Sequence, residues 1–301
     1  MRVSSKILGI VVILALMLAV SASAGSRDEI TRTFTGIKTV KIETVSGDCH
    51  ISQATGDEVE VRVTDHYRPY GVFEPVFRDR GKTLYLREEL DGSCSGGSDW
   101  NLIVPKGTEV KFSSASGSLE VEDFEGEISL STASGDAAIR SCFGEFEFST
   151  ASGNVYMTNC KGDINASTAS GDVELDKCKG YFDCSTASGR VEAHGVALEG
   201  EGSFTTASGS VEVVLVTTPE YDLTVSSASG RAMLDYNGNP LKGSFEFTAR
   251  VHKGDIISPI DFVHEREYER YDQVYVEKTF SRGESPLITL GTASGRVVLR
   301  E

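Results

Sequence analysis

The sequence has few cationic residues. It contains 29 Lys and Arg against 45 Asp and Glu, which gives a formal net charge of −16 at pH 7. Nucleic acids and anionic membrane surfaces bind proteins through clustered cations, so this balance argues against both as partners. Acidity of this degree is also typical of an exported protein that only needs to stay soluble.

Tryptophan and proline are scarce as well, with one Trp and seven Pro, whereas glycine is abundant with 31 residues. Hydrophobic residues make up 39% of the chain, which is enough to fill a core. This composition predicts a globular protein with many turns rather than a disordered one.

Long hydrophobic runs are missing beyond the N-terminus. The single run of fourteen apolar residues follows Arg2 and Lys6, is shorter than the roughly 20 residues that span a bilayer, and precedes an Ala-Ser-Ala segment at 22–24. We therefore predict a signal peptide over residues 1–24 and an exported chain that begins near Gly25, with no membrane anchor and no lipoprotein cysteine. An uncleaved anchor is the alternative.

A repeat dominates the rest of the chain. The tripeptide Ala-Ser-Gly occurs eight times, and its first five copies are eighteen residues apart, followed by spacings of twenty and twenty-one. Its glycines are Gly117, Gly135, Gly153, Gly171, Gly189, Gly209, Gly230 and Gly295. Self-similarity at such a period is typical of solenoid proteins.

Apolar residues recur two and four positions after each of these glycines, as at Val173 and Leu175. A period of two indicates a strand with one buried face. A second glycine nine residues later, such as Gly162, begins another apolar pair, so each unit has two halves. A helix is excluded because each of these glycines would destabilise it by about 1 kcal/mol.

The repeat therefore predicts an all-β fold, a parallel β-solenoid (β-helix) with about eighteen residues and two strands per rung. One half cannot bury its apolar face alone, but rungs stacked about 4.8 Å apart share a core. We also expect two corner positions to point inward, namely the seventh residue after the first glycine and the alanine of the next Ala-Ser-Gly. The first set is Phe124, Cys142, Cys160, Cys178 and Val196.

The flanks of the repeat are strand-like but irregular. We predict an N-terminal β capping segment over residues 25–105, solenoid repeats over 106–240, and a C-terminal β segment over 241–301 that completes the solenoid. The closing Thr-Ala-Ser-Gly at 292–295 is expected to form the far end, since an open sheet edge invites aggregation.

Six cysteines permit disulfides in an exported protein. Cys142, Cys160 and Cys178 occupy one position in three successive rungs, so one bridge in this column is a candidate and the third thiol would be free or near Cys184. The other candidate pair is Cys49 with Cys94. Burial as small core residues is the alternative for all six.

We expect no catalytic residue, no cofactor and no metal site. The sequence has no paired C-x-x-C, no Gly-Gly-x-Gly-x-Asp calcium nonapeptide, no nucleophile elbow and no phosphate loop. A weaker hypothesis is that stacked outward acids loosely bind divalent cations, with a solvated acidic face as the alternative. Those acids are Glu174, Glu192, Glu127, Glu145 and Asp163.

The order of these segments resembles a known family. Irregular strands lead through Ile-Val-Pro at 103–105 into stacked Thr-Ala-Ser-Gly-Asp units, as at 168–172, and a last Thr-Ala-Ser-Gly strand closes the chain. This layout is similar to the bacterial "putative adhesin" family over nearly all of the mature sequence. The resemblance implies a β-helix fold and a location in the cell envelope, and the family's name implies adhesion, with no catalytic residues to transfer.

Three functions fit the sequence. The first is a non-enzymatic binding or adhesion module, periplasmic, on the cell surface or extracellular, that presents its Ser/Thr/Glu face to a glycan, matrix or envelope protein. The second is a periplasmic scaffold or envelope-stress sensor without an external ligand. The third is a β-helix enzyme that acts on polysaccharide.

Overall fold

A computed structural model describes residues 29–301, so the predicted signal peptide lies outside the described residues. No helix within that range is long and apolar enough to cross a membrane. The range contains 26 strands. In chain order they are β1 (Ile30–Thr35), β2 (Thr39–Thr44), β3 (Gly47–Gln53), β4 (Glu58–Asp65), β5 (Phe73–Arg80), β6 (Thr83–Leu90), β7 (Ser98–Val104), β8 (Glu109–Ser114), β9 (Leu119–Glu122), β10 (Glu125–Thr132), β11 (Ala137–Arg140), β12 (Phe143–Thr150), β13 (Val155–Thr158), β14 (Lys161–Thr168), β15 (Val173–Asp176), β16 (Lys179–Thr186), β17 (Val191–Thr206), β18 (Val211–Leu215), β19 (Leu223–Ser227), β20 (Arg231–Asp235), β21 (Gly243–Arg250), β22 (Gly254–Ile257), β23 (His264–Arg270), β24 (Gln273–Arg282), β25 (Leu287–Thr292) and β26 (Gly295–Arg300).

The strands form two faces around one hydrophobic core, and β17 crosses from one face to the other. Face A has the order β1, β4, β7, β3, β9, β11, β13, β15, β17, β18, β20, β26, β22. Face B has the order β5, β6, β2, β8, β10, β12, β14, β16, β17, β19, β25, β21, β24, β23. Pairing is parallel except toward the two ends. The prediction of an all-β fold is confirmed.

The parallel pairs keep the spacing of the repeat. Phe146 of β12 pairs with Ile164 of β14, and Val155 of β13 pairs with Val173 of β15, each eighteen residues further along. We use "rung" for one face B strand with the face A strand that follows it. Rungs stacked in this register bring like positions into columns that run along the solenoid-like body.

Alternation along each strand explains why the columns are uniform. In β14 the side chains of Ile164 and Ala166 point into the core, while their neighbours Asp163 and Asn165 are exposed. Strand residues point alternately to the two faces of a sheet, so every strand with this pattern supplies apolar residues to the same interior.

The bend glycines are required by close approach. A Cβ added to Gly153 would lie 1.8 Å from the carbonyl oxygen of Gly135 in the preceding rung, and Gly171 stands in the same relation to Gly153. Real atoms do not approach so closely, so only glycine fits where the backbones of successive corners touch.

The corner predictions were right for one position and wrong for the other. Cys160 and its equivalents are buried, as expected. Ala151 and the equivalent alanines are exposed, and the preceding threonine, such as Thr150, points inward instead. The reason is that the threonine hydroxyl hydrogen-bonds the stacked glycine backbones, which an alanine methyl cannot do.

Each regular rung also has a left-handed residue at its buried corner, which no motif in the sequence predicted. It precedes the buried corner residue and has a φ of 50° to 66°. The position is occupied by Asp123, Ser141, Asn159, Lys177 and Gly195. Asn, Asp and Gly tolerate this conformation well, whereas Lys does so at some energetic cost.

The closing Thr-Ala-Ser-Gly does not lie at the far end as expected. Strand β25 is inserted between β19 and β21, and β26 between β20 and β22, so the chain returns to fill an inner rung. Strands β21 and β22 lie outside it, followed on face B by the antiparallel hairpin of β24 and β23. The outermost strand carries alternating charges that discourage further pairing.

The N-terminal end is organised around a buried carboxyl group. Glu88 of β6 is 6% exposed and accepts hydrogen bonds from the Val45 backbone amide at 2.6 Å, the Tyr67 hydroxyl at 3.2 Å and the Ser98 hydroxyl. Ser98 in turn accepts from the indole of Trp100 at 2.8 Å. This network joins the antiparallel strands to the first rung, and three of its donors bond the one buried carboxyl group.

Candidate functional site

An open groove runs along the corner where face B strands end. It has a volume of about 950 Å³ and follows eight neighbouring strands from β10 to β21. Its floor consists of small residues from the repeated Ser-Thr-Ala segment. The outward serines and threonines of the floor are Ser131, Ser149, Ser167, Ser185, Thr205 and Ser226, and its alanines are Ala151, Ala169, Ala187, Ala207, Ala228 and Ala293.

The floor is held flat by a column of threonine hydroxyls beneath it. The Thr168 hydroxyl donates to the Gly153 carbonyl at 3.1 Å and accepts from the Gly171 amide at 3.0 Å. Thr186 repeats both contacts one rung further, with Gly171 at 2.9 Å and Gly189 at 3.0 Å. Each threonine therefore links two rungs and satisfies buried backbone groups, which leaves the outward serine hydroxyls available at the surface.

One end of the groove is closed by the hairpin of β23 and β24. Arg270 and Tyr275 line this end. Tyr275 stacks on Tyr268, with ring centroids 5.8 Å apart and planes at 20°, and the Arg270 guanidinium lies 5.4 Å from the Tyr271 ring centroid. The groove thus combines a neutral hydroxyl-bearing floor with an aromatic and cationic end wall.

A second column of polar side chains lies just after the bend glycines. The backbone amide of Asn154 donates to the Asp136 carboxylate at 2.7 Å, and the backbone amide of Asp172 donates to the Asn154 side-chain oxygen at 2.8 Å. In the same way, the backbone amide of Asp136 donates to the Ser118 hydroxyl at 3.2 Å. Ser, Asp and Asn can all act as the acceptor, whereas Arg190 at the same position only donates, through its backbone amide, to Asp172 at 2.7 Å.

The acidic columns do not form a metal site among residues 29–301, where no cluster of three or more His, Cys, Asp or Glu side chains has a suitable arrangement. Glu127, Glu145 and Asp163 stack in register along face B, as the sequence predicted, and all three are exposed. Whether they attract cations loosely remains a hypothesis to be tested by melting in calcium and in chelator.

A cluster of ionisable residues lies on face A. His50 Nδ1 lies 3.0 Å from Glu120, and Arg140 binds both Glu120 and Glu122, at 2.6 and 2.9 Å. The hydrogen bond from Arg140 lowers the pKa of Glu120, so this carboxylate is poorly suited to donate a proton. The side chains of this cluster are partly exposed to solvent.

The fold and the groove together define the class of this molecule. It is a repeat-built, mostly parallel all-β protein in which a regular corner surface extends along a solenoid-like body. Residues 93–256, more than half of the chain, match the sequence profile described as Toastrack DUF4097. The chain belongs to this Toastrack family, a domain family of unknown function, in agreement with the resemblance seen in the sequence.

Several solved structures are similar over most of their length. A "putative cell adhesion protein" from Clostridium sporogenes has 11% identity and a TM-score of 0.29, with coverage of 91% of this chain and 99% of the other. A "putative adhesin" from Bacteroides fragilis has 13% identity and a TM-score of 0.40, with coverage of 91% and 98%. A "putative lipid binding protein" from Parabacteroides distasonis has 11% identity and a TM-score of 0.39, with coverage of 90% and 97%.

At these TM-scores the three structures do not bear on the function of this chain. No curated protein matches it.

The sequence predicted an exposed Ser/Thr/Glu face but not the groove or its end wall. No motif in the sequence placed Arg270 and Tyr275 beside this surface. The signal that could have identified them is the cluster of three tyrosines and an arginine in 268–275, which interrupts an otherwise aromatic-poor pattern.

Proposed function

We propose that the protein is an exported, non-enzymatic binding module of the bacterial cell envelope, and that its groove holds an extended neutral glycan. The observation that carries this proposal is the continuity of the groove across eight strands at a spacing of about 4.8 Å, or about 30 Å in total. A long ligand of repeating units would find the same contact in every rung, and many weak contacts add up to useful affinity.

The chemistry of the groove favours a glycan over other polymers. Hydroxyl groups along the floor both donate and accept hydrogen bonds, which suits the hydroxyls of sugars. The stacked rings of Tyr268 and Tyr275 present an apolar body with a polar tip, which suits the face of a pyranose ring, and Arg270 adds five donors. The net charge of −16 opposes a polyanionic ligand, so a neutral polysaccharide fits better.

An extended peptide fits the groove less well. Peptides that add to β-proteins bind through free backbone groups at a sheet edge. Along the groove these groups are already paired between rungs, as in the bonds from Ala151 to Thr132 at 3.2 Å and from Ser152 to Ala133 at 3.0 Å. The surface therefore offers side-chain hydroxyls rather than a backbone edge.

The proposal is tested by sedimentation with insoluble polysaccharides, including neutral glucans and bacterial cell-wall sacculi. Ala169→Tyr would fill the middle of the groove, and Arg270→Ala would remove the cation at its end; both should lower the bound fraction at least tenfold. Tyr156→Ala, on the exposed surface of face A, is the matched control and should bind as the unaltered protein does. Equal binding by the filled and unaltered proteins would contradict the proposal.

A structural role without an external ligand is the second candidate. The capped ends and the continuous core of the described residues support a rigid spacer or a scaffold in the periplasm. Protease shaving of intact cells separates the two functions: loss of the protein supports surface exposure and adhesion, and full protection supports a periplasmic scaffold or sensor.

A further inference from the structure

Three buried thiols form a column inside the solenoid-like body. Cys142, Cys160 and Cys178 lie at the same corner of three consecutive rungs, and each is at most 2% exposed. Their backbones are joined directly, since Lys161 N–H donates to the Cys142 carbonyl at 2.9 Å and Lys179 N–H donates to the Cys160 carbonyl at 2.9 Å.

The three sulfur atoms have equivalent surroundings. The Cys160 sulfur lies 3.4 Å from the Thr158 carbonyl oxygen and 3.6 Å from the Ile139 carbonyl oxygen. The Cys178 sulfur makes the corresponding contacts with Asp176 and Met157, both at 3.6 Å. The cysteines are therefore related by the rise of one rung.

This spacing determines which pairs can form a bond. Neighbouring strands are about 4.8 Å apart, and Cα atoms joined by a disulfide are usually about 4.4 to 6.8 Å apart. Cys160 is thus in reach of Cys142 on one side and Cys178 on the other. Cys142 and Cys178 are two rungs apart, about 9.6 Å, which exceeds the limit of about 7 Å for a disulfide.

We propose that this column is a redox site that holds a single disulfide, with Cys160 as an obligatory member and either Cys142 or Cys178 as its partner. All six cysteines are free in the structure. The oxidised form ties two adjacent rungs covalently, and the third thiol lies beside the bridge, where it can attack Cys160 and move the bond by one rung.

The oxidant is an external disulfide, either a small molecule or a dithiol oxidase. The Cys160 thiolate attacks one sulfur of that disulfide and forms a mixed disulfide with it. The other external sulfur leaves as a thiolate. A neighbouring cysteine thiolate then attacks the Cys160 sulfur and expels the second external thiolate. Two electrons pass to the external disulfide, and the two protons lost by the column go to the two thiols released.

The proximity of the three thiols favours Cys160, the central one, as the attacking group. The two flanking thiols lower the pKa of Cys160, whereas its own proximity together with burial raises the pKa of Cys142 and Cys178. The thiols are covered in the folded chain, so the reaction occurs while the rungs are stacking or during local opening.

Tryptic digestion without reduction distinguishes the two bridges. Cleavage after Arg140 and Lys161 yields a peptide, 141–161, that contains both Cys142 and Cys160, whereas Cys178 is released in the dipeptide Cys178-Lys179. A bridge between Cys142 and Cys160 leaves peptide 141–161 two hydrogens lighter than its reduced form. A bridge between Cys160 and Cys178 joins peptide 141–161 to the dipeptide.

The full chain is equilibrated with oxidised glutathione, quenched in acid, unfolded, alkylated and digested. We expect the free thiols of the column to fall from three to one, with one or both bridged products. Cys160→Val should abolish the bridge, whereas Cys178→Val should keep the bridge between Cys142 and Cys160. Valine is tolerated at this corner, since Val196 is buried at the equivalent position. Cys184→Ala is the control, because Ala166 is its equivalent one rung away.

Three alkylated column cysteines in the unaltered, folded protein would overturn the proposal, as would a bridge between Cys142 and Cys178 in Cys160→Val. If Cys160→Val fails to fold, the double variant Cys142→Val/Cys178→Val replaces it. Cys160 must then be recovered either alkylated or as its mixed disulfide with glutathione, and a bridge from Cys160 to any other cysteine of the chain would overturn the proposal.

Discussion

At the scale of single residues, the stacked glycines set the tightest limit on the sequence. Gly153→Ala would place a methyl group 1.8 Å from the Gly135 carbonyl oxygen, so two rungs would have to separate. We expect a loss of about 3 kcal/mol or more in the free energy of unfolding. Chemical denaturation measures this, with Gly56→Ala as the control, since a Cβ at Gly56 meets nothing within 4 Å. Equal stability of both variants would contradict this view of the corner.

At the left-handed position before the buried corner, a substitution is expected to raise the free energy of unfolding rather than lower it. Lys177 has a φ of 54°, whereas Asn159 occupies the same place one rung earlier with a φ of 55°. Lys177→Asn should therefore raise the free energy of unfolding by about 0.5 to 1 kcal/mol. Asn159→Val should lower it, because a β-branched residue fits this conformation badly. Denaturation of the two variants tests the pair, and a stabilising valine would contradict a left-handed backbone at this position.

At the scale of the element, the threonine column links each rung to the next. Thr168→Val keeps the shape of the side chain but removes the hydroxyl bonds to Gly153 and Gly171. We expect a cost of about 1 to 3 kcal/mol, because a buried amide and carbonyl lose their partner. Ser167→Ala, on the exposed floor beside it, should cost much less. Comparable losses for the two variants in thermal unfolding would argue against the threonine ladder.

The strands themselves could be predicted from the sequence because their residues alternate with a period of two, as Val173 and Leu175 do in β15. The corner could not be predicted from polarity alone. Alanine is apolar and threonine polar, yet Thr150 is buried and Ala151 exposed, because hydrogen bonding to the stacked glycines outweighs the preference for burying a methyl group.

At the scale of the whole molecule, the ends must resist pairing with other copies. At the C-terminal end of face B the outermost strand is β23, which carries the exposed charges Glu267 and Glu269. Glu267→Val with Glu269→Val should produce oligomers that grow with protein concentration, because an uncharged edge accepts another strand. The same change at Glu127 and Glu145, on inner strands β10 and β12, is the control. Size-exclusion chromatography would contradict the prediction if both double variants eluted at the volume of the unaltered protein.

The path of the chain between the ends was the least predictable feature. Nothing in the local pattern of Thr292 and its neighbours says that β25 pairs with β19 on one side and β21 on the other. The groove wall has the same origin, since Arg270 and Tyr275 reach a floor built mainly from residues 131–228 only through this long-range pairing. Local periodicity determines strands, but the order in which strands stack depends on contacts between distant segments.

The central claim is that the groove binds an extended neutral glycan along its length. Titration calorimetry with soluble oligosaccharides of increasing length, taken from a polysaccharide that sediments the protein, tests it most directly. We predict that affinity rises with each added sugar until the chain spans about 30 Å and then reaches a plateau, and that Ala169→Tyr shortens the length at which the plateau begins. Affinity that is independent of length, or unchanged by Ala169→Tyr, would contradict the claim.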